Sequence, residues 1–313
     1  MRLRALAKIN LGLDVLRKRE DGYHELRMIM QTINMYDQLD IEISKTPGIK
    51  ITTNLPFIPV NESNLVYKAA KLLMDEFQVE QGITVDLQKF IPVAAGMAGG
   101  SSDAAATMIG VNRLFGLGLS VKELMERGVK IGADVPYCLL RGTALAEGIG
   151  DKLRALPACP DCYVLIGKPA ISVSTKFVYE NLHANELEYH PEIDKMLDAI
   201  QWHNLNKIAD CMGNVLETVT IPHYPVIQEI KDHMKEHGAL NAMMSGSGPT
   251  EFGLFDDKAT AENACEALRA SRLARTVFLT TVFNNGGRRI TLLAQPFVPP
   301  TICRLSIRKV SMR

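Results

Sequence analysis

The chain has 313 residues, 47% of them hydrophobic, enough to bury the cores of one large or two ordinary domains, and two is the expectation. Thirty-five basic residues balance 35 acidic ones, so the formal net charge is zero and no basic surplus points to a nucleic-acid partner. The opening Met1-Arg2-Leu3-Arg4-Ala5-Leu6-Ala7-Lys8 returns to charge too quickly for a signal-peptide core and no run reaches the length of a membrane span, so a cytoplasmic soluble protein is expected, as a monomer or homodimer.

In chain order, Lys8 sits in an otherwise apolar strand. Leu39, Ile41 and Ile43, then Ile49 and Ile51, then Ile83, Val85 and Leu87 alternate with polar residues as half-buried strands do. Asn64 is placed to cap a helix carrying Leu65, Ala69, Leu72, Leu73 and Phe77 on one face. The run Pro92-Val93-Ala94-Ala95-Gly96-Met97-Ala98-Gly99-Gly100-Ser101-Ser102-Asp103 leads into Ala104, Ala105 and Ala106, so a glycine-rich loop opens onto a helix that continues through Met108, Ile109, Asn112 and Phe115. Such glycines let a ligand approach the backbone closely, and the free N–H groups at a helix start attract anions. The run contains neither G-x-x-x-x-G-K-[ST] nor G-x-G-x-x-G, so a third type of phosphate loop is required. Ser101 and Ser102 read as helix caps, one of them also a candidate contact for a phosphate or Mg²⁺, and Asp103 as a charge complementing the helix dipole.

Ser120 begins a third helix with Leu124 and Val129, and Gly132-Ala133-Asp134-Val135-Pro136 stops it. The prolines of Ala155-Leu156-Pro157-Ala158-Cys159-Pro160-Asp161-Cys162, followed by the apolar strand Tyr163-Val164-Leu165-Ile166, mark a boundary between domains at 1–157 and 158–288. Six scattered cysteines read as reduced thiols; Cys159 and Cys162 form a C-x-x-C without a second pair, which reads as a loop. Helical stretches at 175–182, 191–200, 205–217, 225–237 and 258–270 alternate with strands near 242–245, 250–255 and 276–282, an α+β pattern. His233 and His237 lack the Glu of H-E-x-x-H and read as a solvated helix face. Residues 289–313 read as an appended tail, of native or foreign origin.

Three segments matter together: Ala7-Lys8-Ile9-Asn10-Leu11 with Asp21-Gly22-Tyr23-His24 behind it, the glycine loop, and Ser245-Gly246-Ser247-Gly248-Pro249-Thr250. In this order, over roughly residues 1 to 285, they resemble the GHMP small-molecule kinases. The loop departs from the commoner Gly-Leu-Gly-Gly-Gly-Ser-Ser in having Met97 and Ala98, and an alanine does not adopt positive φ cheaply. The resemblance implies an α/β (α+β) fold of two domains, ribosomal protein S5-like then ferredoxin-like, with the active site between them and ATP with Mg²⁺ as donor. Within the superfamily the combination resembles the branch whose acceptor carries a cytidine, implying phosphorylation of the 2-hydroxyl of a cytidyl-diphosphate methylerythritol in the non-mevalonate isoprenoid route.

The resemblance makes Asp134 the catalytic base, and a lysine in an apolar strand is costly unless paired, so Lys8 is expected to be buried with Asp134 as its partner. Pro92 through Ser102 would hold ATP. Tyr23 and His24 would stack on and read the cytosine, with Tyr179 closing the other ring face and Phe177 as the alternative. Asn10, Gly246 and Ser247 complete the expected substrate contacts. The rival readings are a mevalonate or homoserine kinase, whose acceptors carry no base, a non-catalytic ligand-binding regulator on the same scaffold, which would not need both Lys8 and Asp134, and an RNA-binding module, which the charge balance disfavours.

Overall fold

The computed structural model of the chain describes residues 1–285; the expected tail and residues 286–288 lie outside the described residues. Two long strands, β1 (Arg2–Lys18) and β2 (His24–Ser44), form an antiparallel hairpin. The alternation at 39–43 is thus only the end of a 21-residue strand, whose middle, residues 28–33, is buried on both faces. The short β3 (Ile49–Thr53) lies parallel to β4 (Gly82–Gln88), and β4 pairs with the end of β2. β5 (Thr143–Gly148) pairs with the beginning of β2 and with β6 (Lys152–Ala155). Over this sheet lie α1 (Leu65–Glu76), capped by Asn64 as expected, α2 (Gly99–Leu114), α3 (Val121–Gly128) with a capping box from Ser120 to Glu123, and α4 (Val135–Leu140).

The second sheet is antiparallel, in the order β11-β7-β10-β9, where β7 is Tyr163–Lys168, β9 Asn241–Met244, β10 Glu251–Phe255 and β11 Thr276–Thr281. Its helices are α5 (Thr175–Glu180), α6 (Ile193–Gln201), α7 (Leu205–Asp210), α8 (Glu217–His223), α9 (Val226–Glu236) and α10 (Lys258–Ser271). The single helix expected over 205–217 is broken: α7 stops at Asp210, and the two-residue strand β8 (Gly213–Asn214) joins β1 in parallel. A Cβ on Gly213 would lie 2.5 Å from the Tyr189 hydroxyl, so a side chain here would have to push that ring aside. Among the described residues no helix is long and apolar enough to cross a membrane.

β1 carries bulges between Leu6 and Lys8 and between Asn10 and Gly12. They bracket a segment whose Ala7, Ile9 and Leu11 pack into the core shared with the second sheet, whereas Leu3 and Ala5 before it, and Leu13 and Val15 after it, join the core beneath α1 and α2. Bulges re-aim side chains, and here they set Lys8 and Asn10 on the face opposite the shared core. Cys159 and Cys162 are buried in that core, and Cys159 N–H donates to Thr143 Oγ1 (3.1 Å), so the C-x-x-C is a packed joint between the sheets. His237 Nδ1 lies 2.8 Å from the His233 carbonyl on α9.

Glu251, the first residue of β10, is fully buried, and neither carboxyl oxygen has a hydrogen-bond partner among the described residues. Burial, with Glu217 nearby, pushes its pKa well above the usual carboxylate range. A carboxyl that binds its proton more tightly when folded loses stability for the fold as pH rises above its unfolded pKa of about 4.3. Replacing Glu251 by methionine removes a buried unsatisfied group that costs about 1–3 kcal/mol, so E251M should raise Tm near neutral pH by roughly 2–8 °C. The gain should shrink toward about pH 5; a thermal-melt series showing a pH-independent difference, or a loss, would mean that this carboxyl is satisfied.

Candidate active site

The glycine loop leaves β4 and enters α2 through three left-handed residues, Ala94 (φ 50°), Gly96 (φ 69°) and Ala98 (φ 53°). Ala98 is the N-cap of α2 and holds the strained conformation that the sequence disfavours there. Because the helix begins at Gly99, Ser101 and Ser102 are inside it, not capping it. Ser102 is also not a cleft residue: it is buried, and its hydroxyl donates to the Leu6 carbonyl (2.7 Å), tying α2 to β1. Ser101 faces the cleft.

Pro92 through Ser101 line a cleft of about 900 Å³, together with Lys8, Asn10, Tyr23, His24, Asp134, Tyr179, Gly246 and Ser247. The fold thus gathers all the expected site residues except Ser102 on one cavity, of a size suited to small-molecule ligands. Phe177 does not line it; its ring meets His223 edge-on at 5.1 Å, whereas Tyr179 packs against His24 at 5.1 Å.

Lys8 is buried, as expected, but it does not pair with Asp134. Its Nζ donates to Asn10 Oδ1 (2.7 Å), and no ion pair joins it to Asp134 within 4.0 Å. Asn10, two residues on along the same bulged segment, is the nearer acceptor; its Oδ1 also receives Gly246 N–H (3.1 Å). Asp134 stands at the N-terminus of α4, half-buried, and its carboxylate has no hydrogen-bond or ion-pair partner among the described residues.

Tyr23 is 62% exposed at the tip of the β1–β2 hairpin, yet its backbone is fixed: Asp21 Oδ1 accepts its N–H (3.0 Å), Arg19 N–H donates to its carbonyl (2.7 Å), and the Arg19 guanidinium holds Asp21 (2.8 Å) and Glu25 (3.2 Å). His24 beside it is buried, with Nε2 lacking any partner among the described residues. Burial, with Lys18 close by, holds its imidazole below the ordinary histidine pKa, which favours the uncharged ring.

Gly246 and Ser247 come from the turn between β9 and β10. Asn214, a residue without a sequence signal, fastens that turn by donating through Nδ2 to the carbonyls of Met244 and Gly246 (both 2.8 Å). Ser247 Oγ meets Thr175 Oγ1 at 2.8 Å, and Ser245 Oγ donates to the Gly96 carbonyl (3.0 Å), joining the two loops.

Comparison with known proteins bears on this cleft directly. The "GHMP kinases N terminal domain" model matches residues 64–142, which hold the glycine loop and Asp134, and the "GHMP kinases C terminal" model matches 196–273. The curated "4-diphosphocytidyl-2-C-methyl-D-erythritol kinase" of Lachnospira eligens is 56% identical over 283 residues, 90% of this chain and 98% of the relative. That of Caldicellulosiruptor saccharolyticus is 48% identical over 285 residues, 91% and 98% of the two chains. A crystal structure of 4-(cytidine 5'-diphospho)-2C-methyl-D-erythritol kinase superposes with a TM-score of 0.78 at 32% identity, covering 90% of this chain and 99% of the other. The chain belongs to the 4-diphosphocytidyl-2-C-methyl-D-erythritol kinase family of the GHMP kinases. It is a phosphotransferase.

In this kinase the loop–loop contact leaves no space for a side chain: a Cβ on Gly96 would lie 2.0 Å from the Ser245 carbonyl oxygen, and its φ of +69° disfavours any other residue. G96A should therefore lower Tm and weaken nucleotide binding together, since it forces the two loops apart. Calorimetry and nucleotide titration on the same sample check this; a variant with wild-type affinity and Tm would show that the close approach is not required.

Proposed function

We propose that the chain transfers the γ-phosphoryl group of ATP to the 2-hydroxyl of 4-diphosphocytidyl-2-C-methyl-D-erythritol, a cytoplasmic step of non-mevalonate isoprenoid biosynthesis. The observation that carries the substrate assignment is the aromatic group on the cleft: Tyr23 held out by the Arg19–Asp21 network, with His24 packed against Tyr179 and its Nε2 unsatisfied. A flat heterocycle with hydrogen-bonding edges suits such a group, and a small hydroxy acid leaves it unused. We place the N-terminal domain at 1–157 and the C-terminal domain at 158–288.

In this reading the backbone N–H groups around Gly99 and Gly100, at the positive end of the α2 dipole, receive the phosphates. Asp134, whose carboxylate has no competing partner, accepts the proton of the acceptor hydroxyl. Lys8, held by Asn10 apart from Asp134, presents its charge to the oxygens of the transferring group. The donor set also fits Mg²⁺: no group of three or more His, Cys, Asp or Glu among the described residues could hold a metal by itself, as suits an ion that takes one or two protein oxygens and the phosphates of its nucleotide. The Ser101 hydroxyl, at the start of α2 on the cleft, would hold it together with the phosphates of the nucleotide, and when bound it neutralises phosphate charge.

Assays of ATP consumption with the cytidyl acceptor, mevalonate and homoserine side by side test the assignment. Turnover should be confined to the first, and equal or better turnover of mevalonate would overturn it. D134N should lower kcat by roughly 10²-fold or more with ATP binding nearly intact, because a general base contributes on that scale. Y23A should raise KM for the acceptor by about 5- to 150-fold while KM for ATP barely moves, from the roughly 1–3 kcal/mol of a base–aromatic stack. A folded Y23A enzyme with unchanged acceptor KM would remove the clamp.

A further inference from the structure

The glycine loop begins and ends on one buried lysine. Lys89, the residue after β4, is 8% exposed and extends its ammonium to two buried carboxylates, Asp37 on β2 and Asp103 on α2 (2.6 Å to the latter). Asp37 does more than balance charge. Its Oδ1 accepts the N–H groups of Phe90 (2.5 Å) and Ile91 (2.8 Å), the first residues of the loop. The Lys89 backbone is itself clasped by Asn54, whose Oδ1 accepts its N–H (2.8 Å) and whose Nδ2 donates to its carbonyl (3.1 Å).

A buried ion pair is weak evidence for stability, because desolvation offsets most of the attraction. This one holds a single cation between two acids, and one oxygen, Asp103 Oδ1, is buried without a hydrogen-bond partner among the described residues. Burial and the neighbouring Asp37 push the Asp103 carboxyl well above its ordinary pKa, while the two carboxylates hold the Lys89 ammonium charged against its own burial. Such a cluster costs the fold something, and its position indicates what it is for. The chain between Lys89 and Asp103 is the phosphate loop with the start of α2, so the contact closes the loop at its base while Asp37 fixes that base to the central sheet. The ammonium lies 3.3 Å from where a Gly99 Cβ would stand, at the first residue of α2.

We propose that Lys89, with Asp37 and Asp103, is a positioning clamp that sets the glycine loop in register for the phosphates of the nucleotide. The proposal deepens the reading of this cleft as the ATP site and rests on it. Because displacing a cradle by about 1 Å can cost roughly 10²-fold, releasing the clamp should act on nucleotide binding and phosphoryl transfer, not on the acceptor.

The test combines K89M with two Asp103 variants, each measured by thermal melting, by direct titration with ATP and by steady-state kinetics with the cytidyl acceptor. K89M should weaken ATP binding and raise KM for ATP by about tenfold or more, with acceptor KM within about twofold, in the folded protein. D103N keeps an oxygen acceptor for the ammonium and should remain close to wild type; D103L removes it and should behave as K89M does. If K89M does not fold, D103L and D103N carry the same comparison. Unchanged ATP affinity in folded K89M or D103L, or equal rises in both KM values, would overturn the clamp. Wild-type protein that binds no ATP would instead overturn the reading of the cleft.

Discussion

The contact on which the rest of the molecule depends is the approach of two glycine turns, where Gly96 of the phosphate loop lies against Ser245 of the turn between β9 and β10 with space for a hydrogen and nothing larger. One loop belongs to the first sheet and the other to the second, so the cleft exists only while the sheets are docked. The docking is built from several sources: the shared apolar core with Ile9, Leu11, Ile166 and Phe252, the parallel bridge of β8 to β1, and the amide of Asn214 gripping the second turn. Apolar burial supplies the attraction, whereas the hydrogen bonds set register. Functional groups on Lys8 and Asn10 then stand at the cleft because two bulges turn their strand segment.

A second constraint is electrostatic. Phosphoryl transfer needs donors already aimed at developing negative charge, so that little reorganisation is left for the reaction itself. The chain meets this with groups that are individually costly to fold: a buried lysine on Asn10, a second lysine between two acids, left-handed alanines at 94 and 98, and an imidazole nitrogen with no partner among the described residues. Strain and unsatisfied polarity are concentrated here because a surrounding core is large enough to impose them. Glu251 lies on β10, beyond the turn that carries Gly246 and Ser247, and no part of the proposed chemistry uses it.

Much of this was legible in the sequence. Strict alternation located β3 and β4, the Asn64 and Ser120 caps located α1 and α3, and the three ordered motifs located the cleft and the family. The long hairpin was less legible, since a strand covered on both faces loses the period of two that makes strands recognisable. Local reading also misplaced the start of α2 by treating serines as caps, because the cap that operates is an alanine in a conformation alanine avoids. Lys8 was correctly expected to be buried, but its partner is two residues away on its own strand, a contact that depends on a bulge no motif encodes. Asp37, Lys89 and Asn214 carry no local signal: each is an ordinary polar residue until the sheets bring distant segments together. Of the two aromatic candidates, helix α5 turns Tyr179 to the cleft and Phe177 toward His223.

The central claim is that one cleft places the phosphates of ATP beside the 2-hydroxyl of an acceptor recognised by its cytosine. Phosphorus NMR of the reaction mixture tests it most directly, since it reports which phosphorus atoms change. The account predicts that the γ-phosphate signal of ATP disappears as ADP and a new phosphomonoester on the acceptor appear, with the diphosphate of the cytidyl group intact. Loss of ATP without that phosphomonoester, or phosphate added to the diphosphate or the ribose instead, would contradict it.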